Sequence, residues 1–325
     1  MSMRISVVIP VKNEETKIVN CLKAVFNQTL QPFEVIMVDG HSSDKTVENA
    51  QQFPITLLYE EYKTVGGARQ VGLENAKGDY IAFTDADCIP SETWLENLHK
   101  SFSEGNQQKI MGVGGGIKNI GESVLEKSIF LVFNTYLGSA DSVQDRFFND
   151  TRFIKSFCGC NCMYRRSDLI EAGGYNTTLS LCEDSDMDER LIKKGNLLYI
   201  PDAIVLHDQT LTLSNFMERN YSFGYGRGRH HFWDLQVIPP VLGLMTLIFL
   251  FTIPVLFIAM ISLYFLILFA YDILIFIKEK RVIYLLTLPV VFIIEHVMYS
   301  IGFWVGLFAS IADISNKSKS LHNDH

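Results

Sequence analysis

The sequence predicts an α/β domain with a mixed sheet flanked by helices, followed by an α-helical transmembrane region. From residue 4 to about residue 120, short apolar runs alternate with segments of helical periodicity, which is the pattern of parallel strands joined by crossover helices. Residues 237–277 are about 40 residues whose only charge is Asp272, roughly twice the length of one spanning helix. The chain therefore requires water around its first part and lipid around its second.

The elements of the α/β part follow one another along the chain. An unbroken apolar run predicts a strand at residues 5–11, and residues 13–15 open a helix that continues to residue 26. Strands are also predicted at residues 33–38, 55–59, 80–84, 111–117, 153–164 and 197–206. Helices are predicted from residue 44 to before residue 54, at residues 68–76 after a Gly66-Gly67 turn, through Trp94 to Leu98, and at residues 166–172 and 183–194.

The apolar C-terminal part predicts about three spanning helices. Pro254 lies where a turn would separate two spans, and residues 282–311 are expected to form one further span. Glu295 and His296 inside that segment are expected to face other helices, a cavity or an interface, because lipid would not solvate them. We predict a catalytic domain at residues 1–210, an amphipathic interfacial segment at 211–236, transmembrane helices at 237–312 and a tail at 313–325.

Composition and charge exclude several classes of protein. With 48% hydrophobic residues and 20% charged residues the chain is not disordered, and its net charge of -8 argues against a nucleic-acid partner. The N-terminus has neither a long apolar stretch nor a cleavage site, so we expect no secretory signal and a cytosolic α/β domain. The six cysteines are then expected to be reduced.

Asp85-Ala86-Asp87 follows a predicted buried strand, at the place where open α/β sheets bind ligands. Two carboxylates there suit a hard cation, and Mg²⁺ or Mn²⁺ shared with diphosphate oxygens is the usual arrangement for nucleotide substrates. For this short motif taken alone, a solvated loop with two turn-forming aspartates is the alternative.

Several motifs in the same order resemble those of family 2 glycosyltransferases, which have the GT-A fold. The matching segments are residues 7–14 (VVIPVKNE), 38–46 (VDGHSSDKT), 67–72 (GARQVG), 77–80 (KGDY), the D-x-D, 158–166 (CGCNCMYRR), 173–175 (GGY) and 183–191 (EDSDMDERL). The resemblance covers about residues 4–232. Gly40 departs from it, because the family frequently has a second Asp there; Asp39 is left as the carboxylate expected to contact the nucleobase.

The resemblance implies roles for particular residues of these motifs. The residues expected to bind the donor nucleotide are Pro10, Val11, Asn13, Glu14, Asp39, Ser42, Arg69, Asp85, Ala86 and Asp87. Asp85, Asp87 and His207 are expected to hold Mn²⁺ or Mg²⁺. Glu183-Asp184 corresponds to the E-D motif, whose Asp deprotonates the acceptor hydroxyl, while the metal and Arg69 absorb charge on the leaving nucleoside diphosphate.

A purely structural explanation is the alternative for several of these residues. Glu183 and Asp184 could serve only as acids at a helix N-terminus, Arg69 as the partner of a helix carboxylate, and His207 as a core histidine. The cysteines at positions 158, 160 and 162 share one face of their predicted strand. We expect them to pack as small apolar groups there, with zinc or iron ligation as the alternative.

Residues 214–233 interleave aromatic rings with Arg and Gly, as in a segment at headgroup depth. Arg227, Arg229 and Trp233 are therefore expected at the membrane interface, near the acceptor. The segment loosely resembles the basic segment that follows the catalytic domain in membrane-bound relatives. The Q-x-x-R-W element of processive synthases does not occur in it, which favours transfer of single sugars.

The predicted protein is an inverting, metal-assisted glycosyltransferase in the cell membrane, multi-pass, with its catalytic domain in the cytosol. The expected donor is a nucleotide sugar, a UDP-sugar rather than GDP-mannose, and the expected acceptor is a hydroxyl of a lipid-linked or membrane-proximal saccharide. A base at Asp184 favours a hydroxyl, because a polyprenyl phosphate is already an anionic nucleophile. Polyprenyl-phosphate glycosyl transfer and a nucleotide-sugar-binding scaffold without turnover are the alternatives.

Overall fold

The computed structural model describes residues 4–104, 109–140, 142–143, 146–209 and 211–323. The chain divides into two compact units by its internal contacts. We call Met1–Gly121 with Ser142–Gln209 the sheet unit, and Glu122–Asp141 with Thr210–His325 the helical unit.

Nine strands form one mixed sheet among the residues that the structure describes. They are β1 (Ile5–Val11), β2 (Glu34–Asp39), β3 (Thr56–Tyr59), β4 (Tyr80–Phe83), β5 (Cys88–Pro90), β6 (Ile110–Ile120), β7 (Arg152–Ile154), β8 (Cys162–Arg165) and β9 (Asn196–Asp208). The strand order is β3-β2-β1-β4-β8-β6-β9-β5, with β7 also paired to β9. The strands from β3 to β4 in this order are parallel, whereas β8 is antiparallel to both neighbours. The predicted mixed α/β sheet, typical of the GT-A fold, is confirmed.

The helices in chain order are α1 (Ile18–Phe26), α2 (Thr46–Ala50), α3 (Val65–Asn75), α4 (Trp94–Glu104), α5 (Val124–Phe133), α6 (Tyr136–Ser139), α7 (Arg166–Glu171), α8 (Glu183–Ile192), α9 (Leu213–Arg229), α10 (Ile238–Thr252), α11 (Pro254–Glu279) and α12 (Tyr284–Asn323). α5 and α6 belong to the helical unit together with α9 to α12. The strand β1 is buried on both faces, as its apolar sequence requires, and the helices of the sheet unit cover the two sides of the sheet.

Two local predictions in the sheet unit are wrong. Gly66 and Gly67 lie in the first turn of α3 rather than in a turn before it, and Thr64 caps that helix by accepting a hydrogen bond from the Gly67 amide at 2.9 Å. A Cβ at Gly66 would lie 2.3 Å from the carbonyl oxygen of Asn176, so the glycine permits close backbone approach.

Residues 153–164 form two separate strands rather than one. β7 ends at Ile154 and β8 begins at Cys162, so Cys158 and Cys160 lie in a loop and do not share a strand face with Cys162. Side chains from α3 and α8 hydrogen-bond to the backbone of this loop, and those bonds replace the pairing that a continuous strand would have made.

In the helical unit, α9 and α12 pack with their backbones in close contact through glycines four residues apart on each helix. A Cβ at Gly224 or Gly228 would lie 2.0 Å from a carbonyl oxygen of α12. A Cβ at Gly302 or Gly306 would lie 2.0 or 2.1 Å from a carbonyl oxygen of α9. Only glycine fits at these four positions.

Within the part of the chain that the structure describes, three helices are long and apolar enough to cross a membrane: Leu235–Thr252, Pro254–Glu279 and Tyr284–Asp313. Pro254 begins α11, and residues 284–311 of the predicted third span fall in one helix. His296 faces other helices of its unit, because its Nδ1 accepts a hydrogen bond from the Tyr264 hydroxyl at 2.9 Å and its Nε2 donates to the Leu137 carbonyl at 3.2 Å. Glu295 is buried as well.

Candidate active site

The loops that follow β1 and β2 are joined by hydrogen bonds at the carboxyl end of the sheet. The Asn13 amide donates to Ser42 Oγ at 2.8 Å, and the Glu14 amide donates to Thr46 Oγ1 at 2.7 Å. Asp39 is fully buried, and its two carboxylate oxygens accept hydrogen bonds from the amide and the hydroxyl of Ser42. Two motifs separated along the sequence thus form one rigid edge.

Arg69 lies between the D-x-D and the E-D motif. Its side chain projects from α3, is buried, and donates to Asp85 Oδ1 at 3.0 Å and to Glu183 Oε1 at 3.2 Å. A third hydrogen bond, 2.9 Å long, reaches the Gly159 carbonyl. A Cβ at Gly159 would lie 2.4 Å from the guanidinium, so this position must be glycine while Arg69 keeps its place. Arg69, which was predicted to bind the donor nucleotide, is therefore paired with two carboxylates of the protein itself.

Asp87, in the turn between β4 and β5, lies next to His207 of β9. Asp87 Oδ2 lies 3.2 Å from His207 Nε2, and Gln209 donates to the other ring nitrogen at 2.7 Å. Burial acts to raise the pKa of Asp87, but the hydrogen bond and charge of His207 outweigh it and the pKa is lowered. An ionised carboxylate beside an imidazole, with Asp85 nearby, fits a divalent cation that also takes diphosphate oxygens.

The first turn of α8 carries the E-D motif. Asp184 Oδ1 accepts from the Ser185 amide at 2.7 Å and Oδ2 from the Gly159 amide at 3.2 Å. Burial, reinforced by the charge of Asp184, raises the pKa of Glu183 to about 7, although Arg69 opposes the shift. Asp184 is half-buried, so it remains accessible to a substrate hydroxyl.

Asp188, one helical turn further along α8, was not identified as a site residue from the sequence. It is fully buried, and its carboxylate accepts hydrogen bonds from the Phe157 amide at 2.7 Å and the Tyr164 hydroxyl at 2.8 Å. Burial raises its pKa to about 8 despite these bonds. Asp188 therefore fixes the loop before β8 against α8, and its spacing of four residues from Asp184 is the signal that the sequence offered.

A cavity of about 250 Å³ opens beside these motifs in the sheet unit. Of the predicted donor-binding residues, Pro10, Val11 and Asp85 line it, whereas Asn13, Glu14, Asp39, Ser42, Arg69, Ala86 and Asp87 do not belong to its lining. Its other lining residues are Lys12, Gly40, Glu60, Lys63, Thr64, Val65, Ala68 and Ser180. Three of these residues, Glu60, Lys63 and Thr64, lie between β3 and α3, where no motif in the sequence marked a site. Lys12, Gly40 and Ala68 lie within the quoted motifs but had no donor-binding role assigned.

A cluster of soft ligands lies next to the D-x-D. One ligand atom each from Cys88, Cys160 and His207 lies within 4.8 Å of the others. Thiolates and imidazole suit zinc, whereas Mg²⁺ and Mn²⁺ prefer oxygen ligands, so this group is not the hard-cation site expected at Asp87. Burial raises the pKa of the Cys88 thiol to about 12, which keeps it protonated in the absence of a metal.

The predicted interfacial residues belong to the helical unit. Arg227 is buried and forms an ion pair with Asp234, while Arg229 donates to Asp313 at 2.8 Å. Trp233 is 62% exposed. Both arginines thus have carboxylate partners within this chain, and the position of all three residues at a membrane surface stays a prediction.

Carboxylates at the ends of parallel strands, a cavity beside them and an acidic helix start form the kind of ligand site that open α/β sheets carry. The glycosyl transferase family 2 model matches residues 6–173, and this chain belongs to that family.

Two relatives and one solved structure illustrate the range of similarity. A Methanococcus voltae protein named dolichyl N-acetyl-alpha-D-glucosaminyl phosphate 3-beta-D-2,3-diacetamido-2,3-dideoxy-beta-D-glucuronosyltransferase is 26% identical over 322 residues, 93% of this chain and 97% of the relative. The Staphylococcus aureus poly(ribitol-phosphate) beta-N-acetylglucosaminyltransferase TarP is 29% identical over 162 residues, 47% of this chain and 48% of TarP. The crystal structure of S. aureus TarS 1-349 with UDP-GlcNAc has a TM-score of 0.48 and 17% identity, covering 69% of this chain and 65% of that one.

Proposed function

We propose that this protein transfers a sugar from a nucleotide-sugar donor, a UDP-sugar, to a hydroxyl of a lipid-linked saccharide, with inversion at the anomeric carbon. The observation that carries the proposal is the buried Arg69 guanidinium, which hydrogen-bonds to the D-x-D through Asp85 and to the E-D motif through Glu183. A group held by both motifs sets donor and acceptor machinery at a fixed separation, as single displacement requires.

The roles follow from the partners of each side chain. Asp184 takes the proton of the acceptor hydroxyl as its oxygen attacks the anomeric carbon, the bond from that carbon to the diphosphate oxygen breaks, and the electron pair leaves with the nucleoside diphosphate. Asp87 and His207 would hold Mn²⁺ or Mg²⁺, which neutralises charge on the diphosphate when bound. Arg69 acts as a positioning residue, because its donors are directed to Asp85, Glu183 and Gly159.

The proposed class of acceptor is supported by a relative whose match covers 93% of this chain. Its name specifies a saccharide joined through phosphate to dolichol as the acceptor and a diacetamido glucuronosyl unit as the sugar transferred. The three apolar helices are long enough to anchor this chain beside such an acceptor. We therefore propose a lipid-phosphate-linked monosaccharide as the acceptor class, with the sheet unit in the cytosol where nucleotide sugars are available.

The test is transfer by the purified, detergent-solubilised full chain with UDP-, GDP- and dTDP-sugars, Mn²⁺, and polyprenyl-phosphate-linked N-acetylglucosamine. We expect nucleoside diphosphate release from one donor and a glycosylated lipid product. Asp87→Asn and Asp184→Asn should each lower the rate by about 10²-fold or more, the usual contribution of such groups.

The matched control is Asp150→Asn, which removes a carboxylate exposed on the surface of the same unit. It should leave the rate unchanged. Full transfer to this hydroxyl acceptor by Asp184→Asn would contradict the assignment of Asp184 as the base. Donor binding without hydrolysis or transfer under any of these conditions would favour a scaffold instead.

A further inference from the structure

Glu60 is a buried carboxylate in the wall of the cavity. It directly follows β3, is 3% exposed, and is one of the residues that line the cavity. Among the residues that the structure describes, none donates a hydrogen bond to its Oε1. Oε1 lies against Gly67, where a Cβ would be 2.6 Å from it. A buried acceptor without a donor costs free energy, and rotation of the carboxylate toward a ligand that supplies the donor would recover it.

The position of Glu60 in the sheet indicates which part of a donor it would meet. The order β3-β2-β1-β4 separates the end of β3 from the D-x-D after β4 by three strand spacings, about 14 Å. Asp85 of the D-x-D, Gly40 after β2 and Glu60 after β3 line the same cavity, so a nucleotide with its diphosphate at the D-x-D would place its nucleoside toward β2 and β3. The Glu60 amide also donates to the carbonyl of Asp39 at 3.0 Å, which fixes its backbone beside the end of β2.

Neighbouring groups do not already fill this role. Asp39 is 1% exposed, and both of its oxygens accept hydrogen bonds from Ser42. Gly40 lines the cavity without a side chain, and a Cβ there would make only ordinary contacts, the shortest 3.4 Å to the Lys12 side chain. The cavity thus has free space beside β2 and an acceptor at the end of β3.

We propose that the Glu60 carboxylate accepts a hydrogen bond from the nucleoside half of the donor. An ionised carboxylate is an acceptor only, and the nucleoside offers ribose hydroxyls and base N–H groups as donors. The last torsion of a glutamate side chain is soft, so either oxygen can turn toward the ligand. Lys12 and Lys63 line the same cavity and offset the repulsion between Glu60 and the diphosphate.

The inference rests on the proposed function, and ligand binding separates the two. UDP, 2′-deoxy-UDP and N3-methyl-UDP are titrated into the detergent-solubilised full chain, with GDP and 2′-deoxy-GDP as a second pair. Wild-type protein should bind UDP at least tenfold more tightly than the analogue that lacks the donor contacted by Glu60. If Glu60→Gln loses the preference for UDP over 2′-deoxy-UDP, the group that donates to Glu60 is the ribose 2′-hydroxyl. If it loses the preference for UDP over N3-methyl-UDP, the donating group is the N–H of the base.

Glu60→Gln should reduce that tenfold preference to less than about threefold, because the amide is a weaker acceptor than a carboxylate. Glu61→Gln, which changes the adjacent and exposed carboxylate, should leave it intact. Gly40→Asp, combined with Glu60→Gln, places a carboxylate in the free space beside β2 and should restore at least part of the preference. Equal thermal midpoints exclude a folding defect as the cause.

The outcomes are distinct. If wild-type protein binds no nucleoside diphosphate, the proposed donor class is wrong, and the inference with it. If UDP binds and Glu60→Gln keeps the full preference against both analogues, the inference is wrong and the proposed function stands.

Discussion

The sheet unit and the helical unit hold their elements together by different physical means. In the sheet unit, buried side chains such as Arg69 and Asp188 join elements through hydrogen bonds and charge. In the helical unit, α9 and α12 meet through four glycines whose absent side chains let the backbones touch. The sheet unit is therefore sensitive to loss of a polar group, and the helical unit is sensitive to gain of a methyl group.

The largest effect is expected from Gly302→Leu in α12. The new side chain would overlap the Tyr221 carbonyl oxygen, which lies 2.0 Å from the Cβ position, and separating the helices should cost about 3 kcal/mol. Thermal unfolding in detergent measures the loss. Gly243→Leu is the control, since its Cβ would lie 4.0 Å from the Ser300 hydroxyl, its nearest neighbour. Equal loss in both variants would contradict close packing as the cause.

Arg69→Lys tests the buried polar contacts that join elements of the sheet unit. Lysine keeps the charge but cannot reach Asp85, Glu183 and the Gly159 carbonyl together, so we expect a loss of about 2 kcal/mol in unfolding free energy. Transfer should fall as well, because the two motifs lose their common partner. Arg152→Lys changes a half-buried arginine paired with the exposed Asp150 and should alter neither. A variant as stable and active as wild type would show that the guanidinium fork is dispensable.

Substitution of Asp188 is expected to change stability least, and this change depends on pH. Its folded pKa of about 8 lies above the value of an unfolded Asp, so the stability it contributes is complete below about pH 4 and is lost as the pH rises to 8. Asp188→Asn mimics the protonated form and removes this loss. We expect the thermal midpoint of the variant to fall less than that of wild type between pH 7 and pH 8, corresponding to about 1 kcal/mol.

The control for this pH series is Asp202→Asn, which changes an exposed carboxylate on β9. Its midpoints should follow those of wild type at both pH values. If Asp188→Asn shows the same fall as wild type, Asp188 is ionised in the folded protein throughout this range.

The sequence was sufficient where structure depends on local pattern. The apolar run of β1 and the D-x-D at the end of β4 needed only strand periodicity and the rule for open sheets. The loop between β7 and β8 was not predictable in this way, because Cys158 and Cys160 read as strand residues. What removes them from a strand is contact with Arg69 and Asp188, from elements far away in the sequence.

The same limit applies to the candidate site. Residues matching a family motif, such as Asp87 and Asp184, could be named in advance, and their roles remain proposals. Glu60 could not be named, because its burial arises only when β3 pairs with β2. The grouping of Cys88 with Cys160 and His207 likewise depends on the three-dimensional fold, since these residues follow or belong to separate strands.

The close approach of Arg69 to Gly159 limits which substitutions the chain can accept at these two positions. A methyl group at position 159 would enter the volume of the guanidinium, so the two positions cannot vary independently although 90 residues separate them. Among descendants of this chain, a larger residue at position 159 becomes tolerable only after position 69 has become smaller. A requirement for arginine at position 69 thereby becomes a requirement for glycine at position 159.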